Sequence, residues 1–288
     1  MIIRKNGYTV KIINRSLAVV IGGKLGNQWQ KVGRLLGKGD QNPKTKKNLV
    51  KTYGLSLYPE KGIGFGNLCP HAKTCQASCL AHQGQGDVSN VKRARIAKTV
   101  LWYLARDWFL SKLNRELYFA RKHNTDTVGV RLNMFSDVSW ESYGIIDKNP
   151  GLVFYDYLKS PKRHGWIREN YHVTFSFDGQ NLESALNVLN AGDNVSVVFY
   201  DRSPGAKCGK AAHRQILPSY WQGYPVIDGG ITDWRPEDPS PCVVGLRLLA
   251  KTWRSREFAI ASGFAIENLD NQIINDDSLE YLLIGGGV

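Results

Sequence analysis

Three of the five cysteines in this 288-residue sequence, Cys69, Cys75 and Cys79, fall within eleven residues, in the stretch NLCPHAKTCQASCL. A buried free cysteine packs as a small hydrophobe and has no reason to cluster. Thiolates that converge on one point hold a metal or an iron–sulfur cluster. The C-x5-C-x3-C spacing fits the paired knuckles of structural zinc sites poorly. An iron–sulfur cluster of the 4Fe-4S type is therefore the first expectation, zinc the alternative, and a metal-free loop the third. Cys208, in the glycine-rich stretch GAKCGKAAH, is the candidate fourth ligand, with His213 following it at C-x4-H spacing. Cys242 opens an apolar run and reads as core. Just before the first cysteine come Gly64, Gly66 and Asn67. Glycines there let backbone approach a bulky cofactor closely, and no Walker or Rossmann pattern is complete around them.

A second set of candidates stands at or near the ends of apolar runs. The run Val128–Phe135 leads to Asn133, Ser136 and Asp137; Val153–Tyr157 leads to Asp156 and Lys159; His172–Phe177 to Ser176 and Asp178; Tyr224–Asp228 to Asp228 and then Asp233. With Thr52–Tyr58, Asn194–Tyr200 and Cys242–Leu248 these make seven strand-like segments. Helical or turn stretches at Trp140–Asp147, Pro161–Asn170 and Leu182–Asn190 separate several of them. Strands joined by crossovers imply a parallel sheet, so the expected fold class is α/β, a full or partial parallel β/α barrel. Working groups in such barrels gather at the C-terminal ends of strands. That places Asp137, Asp156, Lys159, Ser176 and Asp228 as candidate catalytic residues, and Asn133 beside a cofactor. The plain alternative is that Asp and Ser at strand ends open loops and cap helices.

Charge is distributed unevenly. Residues 1–123 hold 23 Lys/Arg and 5 Asp/Glu, a balance of +18, while the chain as a whole stands at +13. A one-sided field suits a polyanion such as DNA or RNA, although a solvated basic face is the ordinary alternative. The candidate nucleic-acid contacts are Lys44, Lys46 and Lys47, in a polar loop, and Lys92, Arg93, Arg95 and Lys98. The latter four open what reads as one long helix from Ser89 to His123. The sequence divides into a basic accessory segment at 1–51, a barrel-like domain at 52–250, and a C-terminal segment at 251–288 with an acidic tail. No run approaches 18 apolar residues, so no membrane span is expected. The polar N-terminus does not read as a signal peptide. A cytoplasmic protein follows, with its thiols reduced.

The segments NLCPHA at Asn67–Ala72, VRLNMFSDVSWE at Val130–Glu141, FYDYLK at Phe154–Lys159, NYHVTFS at Asn170–Ser176 and GYPVIDGG at Gly223–Gly230 resemble the blocks of the phage and plasmid "gene product 88"-like proteins. The resemblance covers residues 52–250 and implies a mobile-element origin without a named reaction. A three-thiolate loop after the first strand is also distantly similar to radical S-adenosylmethionine enzymes, but C-x3-C-x2-C and the Gly-Gly-Glu signature are missing. The expected function is a metal-cluster protein acting on nucleic acid or a nucleotide. A non-catalytic nucleic-acid-binding protein with a structural metal, and an S-adenosylmethionine-dependent enzyme on a small molecule, are the alternatives.

Overall fold

A computed structural model of the chain describes residues 1–39, 45–48, 50–59, 61–76, 79–82, 87–160, 162–163, 169–202, 214–250 and 252–270. These divide into two compact units. Unit 1 comprises Met1–Ala72, Cys79–Phe175 and Ile231–Asp238; unit 2 comprises Lys73–Ser78, Ser176–Gly230 and Pro239–Val288.

Unit 1 begins with four short strands, β1 (Ile2–Lys5), β2 (Tyr8–Asn14), β3 (Leu17–Gly22) and β4 (Gln30–Val32), paired antiparallel in chain order. Alternation of apolar and polar side chains gives this meander one buried face, built from Tyr8, Val10, Ala18, Val20 and Val32. The turn after β3 runs through Gly22 and Gly23, both at positive φ. A second group of strands follows: β5 (Leu36–Lys38), β6 (Lys51–Leu55), β7 (Val128–Arg131), β8 (Val153–Leu158) and β9 (Tyr171–Ser176), the last residue of which falls in unit 2. Strands β6 to β9 are mutually parallel, and β5 pairs antiparallel with β6.

The single helix expected over 89–123 is two, α1 (Ser89–Leu104) and α2 (Arg106–Lys122), broken at Ala105. No breaker residue marks the place. Arg106 lies over the Trp102 ring at 3.5 Å and its Nε donates to the Trp102 carbonyl at 2.7 Å. A tertiary cluster of Trp102 with Phe109, Trp140 and Tyr143 fixes that indole. Helix α1 packs on β2, β3 and β4.

Unit 2 contains α3 (Leu182–Asn190), β10 (Val195–Tyr200), β11 (Tyr220–Trp221), β12 (Tyr224–Asp228), β13 (Val243–Arg247), α4 (Trp253–Ala261) and β14 (Ala265–Glu267). Strands β12, β13, β10 and β14 pair in parallel, and β11 adds antiparallel to β12. Thr252 caps α4 by accepting from the Ser255 amide at 3.2 Å; residues 251–288 thus begin with an ordinary capped helix. Of the acidic tail, Glu267 pairs with Arg202 at 2.6 Å and Asp270 Oδ2 accepts from the Ser219 amide at 2.7 Å, while residues 271–288 lie outside the described residues.

The fold is mixed α/β with mostly parallel strands. No closed ring of strands is found among the described residues, so the expected barrel is not seen: in unit 1 the strand order ends at antiparallel β5, and in unit 2 it ends at antiparallel β11. A parallel barrel closes only when its edge strands pair with one another. No helix among the described residues is long and apolar enough to cross a membrane.

Candidate functional site

The loop that leaves the C-terminal end of β7 carries the densest polar cluster of unit 1, and Asn133 organises it. Its side-chain Oδ1 accepts from Ser136 Oγ at 2.9 Å, the Val138 amide at 2.9 Å and Trp140 Nε1 at 3.1 Å. Its Nδ2 donates to the Val138 carbonyl at 3.0 Å and to Asp156 Oδ2 at 3.1 Å, while its own amide donates to Asp156 Oδ1 at 2.8 Å. The Asn133 side chain is thus spent within the protein, tying the loop to β8.

Asp156 is 2% exposed. Burial is the main influence on it and raises its carboxyl to about 7, against the opposing pull of the Asn133 amide and the Arg131 and Arg163 charges. The Tyr171 hydroxyl, from β9, donates to Asp156 Oδ2 at 3.4 Å and accepts from Arg163 Nη2 at 3.4 Å. The Arg163 fork then grips Glu141, Nε to Oε1 at 2.6 Å and Nη2 to Oε2 at 3.0 Å, and its Nη1 reaches Asp137 Oδ1. Arg163 keeps its charge despite burial because Glu141 and Asp137 both face it.

Asp137 is the less satisfied of the two aspartates. Its Oδ2 is buried and, among the described residues, has no hydrogen-bond partner of normal geometry. Burial raises its pKa, and the charges of Arg163, His71 and Lys159, with the nearby Lys159 amide, only partly offset that. Arg163 is shared between Asp137 and Glu141, so neither carboxylate receives its full stabilisation. The Asp137 amide donates to the Leu68 carbonyl at 2.7 Å, joining this loop to the segment after β6 that holds Cys69 and His71.

A second buried ionic group lies in the same unit. Arg131, at the end of β7, donates to Asp233 Oδ2 at 3.0 Å and stands over the Tyr157 ring at 4.6 Å. The Tyr155 hydroxyl also reaches Asp233, at 3.3 Å.

Of the glycines before the first cysteine, Gly64 is required by its backbone conformation and Gly66 by a close neighbour. Gly64 has φ +83° and its carbonyl accepts from Asn6 Nδ2 at 2.8 Å. A Cβ on Gly66 would come within 2.9 Å of the Tyr103 hydroxyl. Asn67 Oδ1 accepts from the Cys69 amide at 2.8 Å, a local turn that sets the start of the cysteine stretch. Cys69 and Cys79 are half-buried in unit 1, Cys75 is buried in unit 2, and all three are thiols rather than disulfides. Thr74, beside Cys75, donates to the Asp178 carbonyl within unit 2. Among the described residues, no three His, Cys, Asp or Glu side chains form a metal-holding group. Cys208 and His213 lie outside the described residues.

Of the candidate catalytic residues, Asp137, Asp156 and Lys159 share the cluster of unit 1. Ser176 and Asp228 stand in unit 2, where Ser176 Oγ accepts from Ser196 Oγ at 3.4 Å and Asp228 pairs with Arg247 at 2.6 Å. Sequence reasoning missed Arg163 and Tyr171. Arg163 sits in a polar stretch with no periodicity, and Tyr171 reads as one more aromatic strand residue.

The basic candidates divide as well. Arg93 donates to the Leu25 carbonyl at 2.7 Å, Arg95 to Ala81 at 2.9 Å, and Lys98 to Leu35 at 2.7 Å. Burial lowers the Lys98 ammonium to about 8. Lys92 pairs with Asp87 at 3.4 Å. Lys46 and Lys47 are exposed in a short 3-10 turn, and Lys44 is outside the described residues.

No curated protein and no solved structure matches this chain. Nothing matched supports the distant likeness to radical S-adenosylmethionine enzymes. The family model described as Gene product 88 matches residues 30–266, most of the 288-residue sequence and all of the Asn133–Asp137–Asp156 cluster. The chain belongs to the Gene product 88 family.

Proposed function

We propose that the polar cluster of unit 1 is a proton-transfer site, and that the protein is a phage- or plasmid-type enzyme acting on a nucleotide or a nucleic-acid strand. Asp137 is the general acid–base. Lys159, the cation beside it, and His71, a neighbouring ring donor, meet a phosphate. Asn133, Asp156, Tyr171 and Arg163 are positioning residues. One observation carries this reading: a buried carboxylate oxygen, Asp137 Oδ2, has no normal hydrogen-bond partner among the described residues and follows the C-terminal end of a parallel strand. Leaving such a group unpaired costs stability, and a raised carboxyl pKa suits proton transfer near neutral pH. The surplus of 23 Lys/Arg over 5 Asp/Glu in residues 1–123 supports an anionic substrate.

The test incubates the protein with 5′-nucleotides and with 20-residue DNA and RNA strands, and reads products by mass spectrometry. Asp137→Asn keeps shape and removes the transferable proton, so product formation falls by on the order of 10²- to 10⁴-fold with an unchanged fold by circular dichroism. Equal rates for the variant, or no product from any of these substrates, would overturn the assignment.

A second reading keeps Cys69, Cys75 and Cys79, with Cys208, as ligands of an iron–sulfur cluster, or of zinc. What favours it is three thiols within eleven residues; the described residues as placed do not form the ligand set. The proton transfer proposed above runs through other side chains. Anaerobic purification is expected to yield iron and acid-labile sulfide, both lost in Cys75→Ser. A zinc-bearing protein without iron, or a Cys75→Ser variant that keeps its iron, would sink the iron–sulfur assignment.

A further inference from the structure

The cations of α1 and α2 and those of the meander have opposite uses. On the helices several of them bond back to the protein. Besides Arg93 and Lys98, Lys112 donates to the Ser16 and Gly33 carbonyls, each at 2.8 Å, and Arg115 donates to Ser16 Oγ at 2.9 Å. Trp108 Nε1 adds a bond to the Asn14 carbonyl at 2.9 Å. These bonds bolt the meander to the helices.

The meander's own cations face out. Residues 1–39 contain eight Lys/Arg and no Asp or Glu, the first acid being Asp40. All eight are exposed. Strand register puts several of them on one face. Ile2, Lys11, Val19 and Lys31 lie opposite one another across β1, β2, β3 and β4. The row two residues along holds Arg4, Thr9 and Ile21 on the same face, because side chains alternate with a period of two. Lys11 and Lys31 are separated by β3, hence by about 10 Å, two strand spacings. Just before β4, Trp29 is 50% exposed. A half-exposed indole beside a carboxylate-free cationic sheet has the two components that a single strand requires, charge for the phosphates and a flat ring for a base.

We propose that the outward face of β1–β4 binds single-stranded nucleic acid, with Arg4, Lys11 and Lys31 contacting phosphates and Trp29 stacking on a base. The inference deepens the reading of the substrate as a nucleotide or nucleic-acid strand and rests on it. It differs from the sequence expectation by moving the contacts from the helix cations to the sheet. A second copy of the chain does not suit this face, since like charges would meet across it.

The experiment measures binding of a fluorescent 20-residue mixed-sequence single strand, the matching duplex, and phosphatidylserine vesicles, each over a range of salt. The wild type is expected to prefer the single strand. Replacing Arg4, Lys11 and Lys31 together by glutamine reduces the slope of log affinity against log salt by roughly 2, at about 0.7 per phosphate contact on a single strand. Trp29→Ala weakens single-strand binding on the order of ten-fold with the salt slope unchanged. Circular dichroism and a melting curve confirm that each variant is folded. An unchanged slope in the folded triple variant, an unchanged affinity in Trp29→Ala, or a preference for vesicles or duplex would overturn the proposal. Binding is read on Asp137→Asn as well as wild type. Loss of the sheet assignment with turnover intact, and loss of the acid–base assignment with binding intact, are therefore separate results.

Discussion

Asp156→Asn is expected to flatten the pH dependence of stability between pH 4 and pH 7. The carboxyl rises from 3.8 to about 7 in the folded protein, chiefly through burial. A carboxyl raised on folding holds its proton in the native state at pH values where the unfolded chain has released it. Stability therefore falls as pH rises from the unfolded value to the folded one, and the loss is complete above pH 7. At about 1.4 kcal/mol per pH unit the loss amounts to on the order of 4 kcal/mol. Asp137, raised in the same direction, and Asp238, raised to about 6, add to it with the same sign.

Asparagine at position 156 can still accept from the Asn133 amide, which donates at 2.8 Å in the wild type. Its own NH2 then meets the Asn133 Nδ2 donor, which now bonds Asp156 Oδ2 at 3.1 Å. That mismatch costs roughly 1–3 kcal/mol, independent of pH. The two stability profiles should therefore cross: the wild type is more stable at pH 4, the variant at pH 8. Urea titrations at five pH values would read this directly. Profiles that stay parallel would mean that Asp156 is an ordinary ionised carboxylate held by its hydrogen bonds.

The sequence made the two aspartates visible as carboxylates in or just after apolar runs, a pattern that sheet packing produces and that polar chemistry exploits. Strand cores at Val128, Val153, Val195, Tyr224 and Val243 and helix α3 were legible because each is a short apolar period bounded by turn residues. The break at Ala105 was not, since alanine is the best helix former and the cause is Arg106 folding over an indole fixed by tertiary contacts. The hub role of Asn133 was hidden for a similar reason. Its partners span residues 136 to 156, and an asparagine in a loop looks the same whether it bonds water or protein groups. Net charge told the sign of the basic region and not its direction: Arg93, Lys98 and Lys112 on the helices turn inward to carbonyls, while the cations of the meander, in a segment that read only as accessory, face solvent.

Removing Arg163 should have the largest structural effect of any single change at the site. Its guanidinium serves Glu141 and Asp137, whose side chains are each 2% exposed, and also bonds the Val138 carbonyl at 3.1 Å. Arg163→Ala leaves two carboxylates buried without their cation, a defect that typically costs about 3–5 kcal/mol. Lysine restores a charge but not the fork that bonds Glu141 through Nε and Nη2 while Nη1 holds Asp137, so Arg163→Lys should recover only part of the loss. The pH dependence separates an electrostatic origin from simple loss of packing. Without the guanidinium, the Asp137 carboxyl, already raised by burial, moves further up. The native state then binds its proton over a wider range, so the penalty grows as pH rises and shrinks toward pH 4. Neutralising both acids in the triple variant Arg163→Met, Glu141→Gln, Asp137→Asn removes the buried charge altogether and should restore much of the stability, though not any activity that depends on Asp137. A penalty in Arg163→Ala that is the same at every pH would show that the side chain acts by filling space, and a triple variant no more stable than Arg163→Ala would show that the two carboxylates were never its burden.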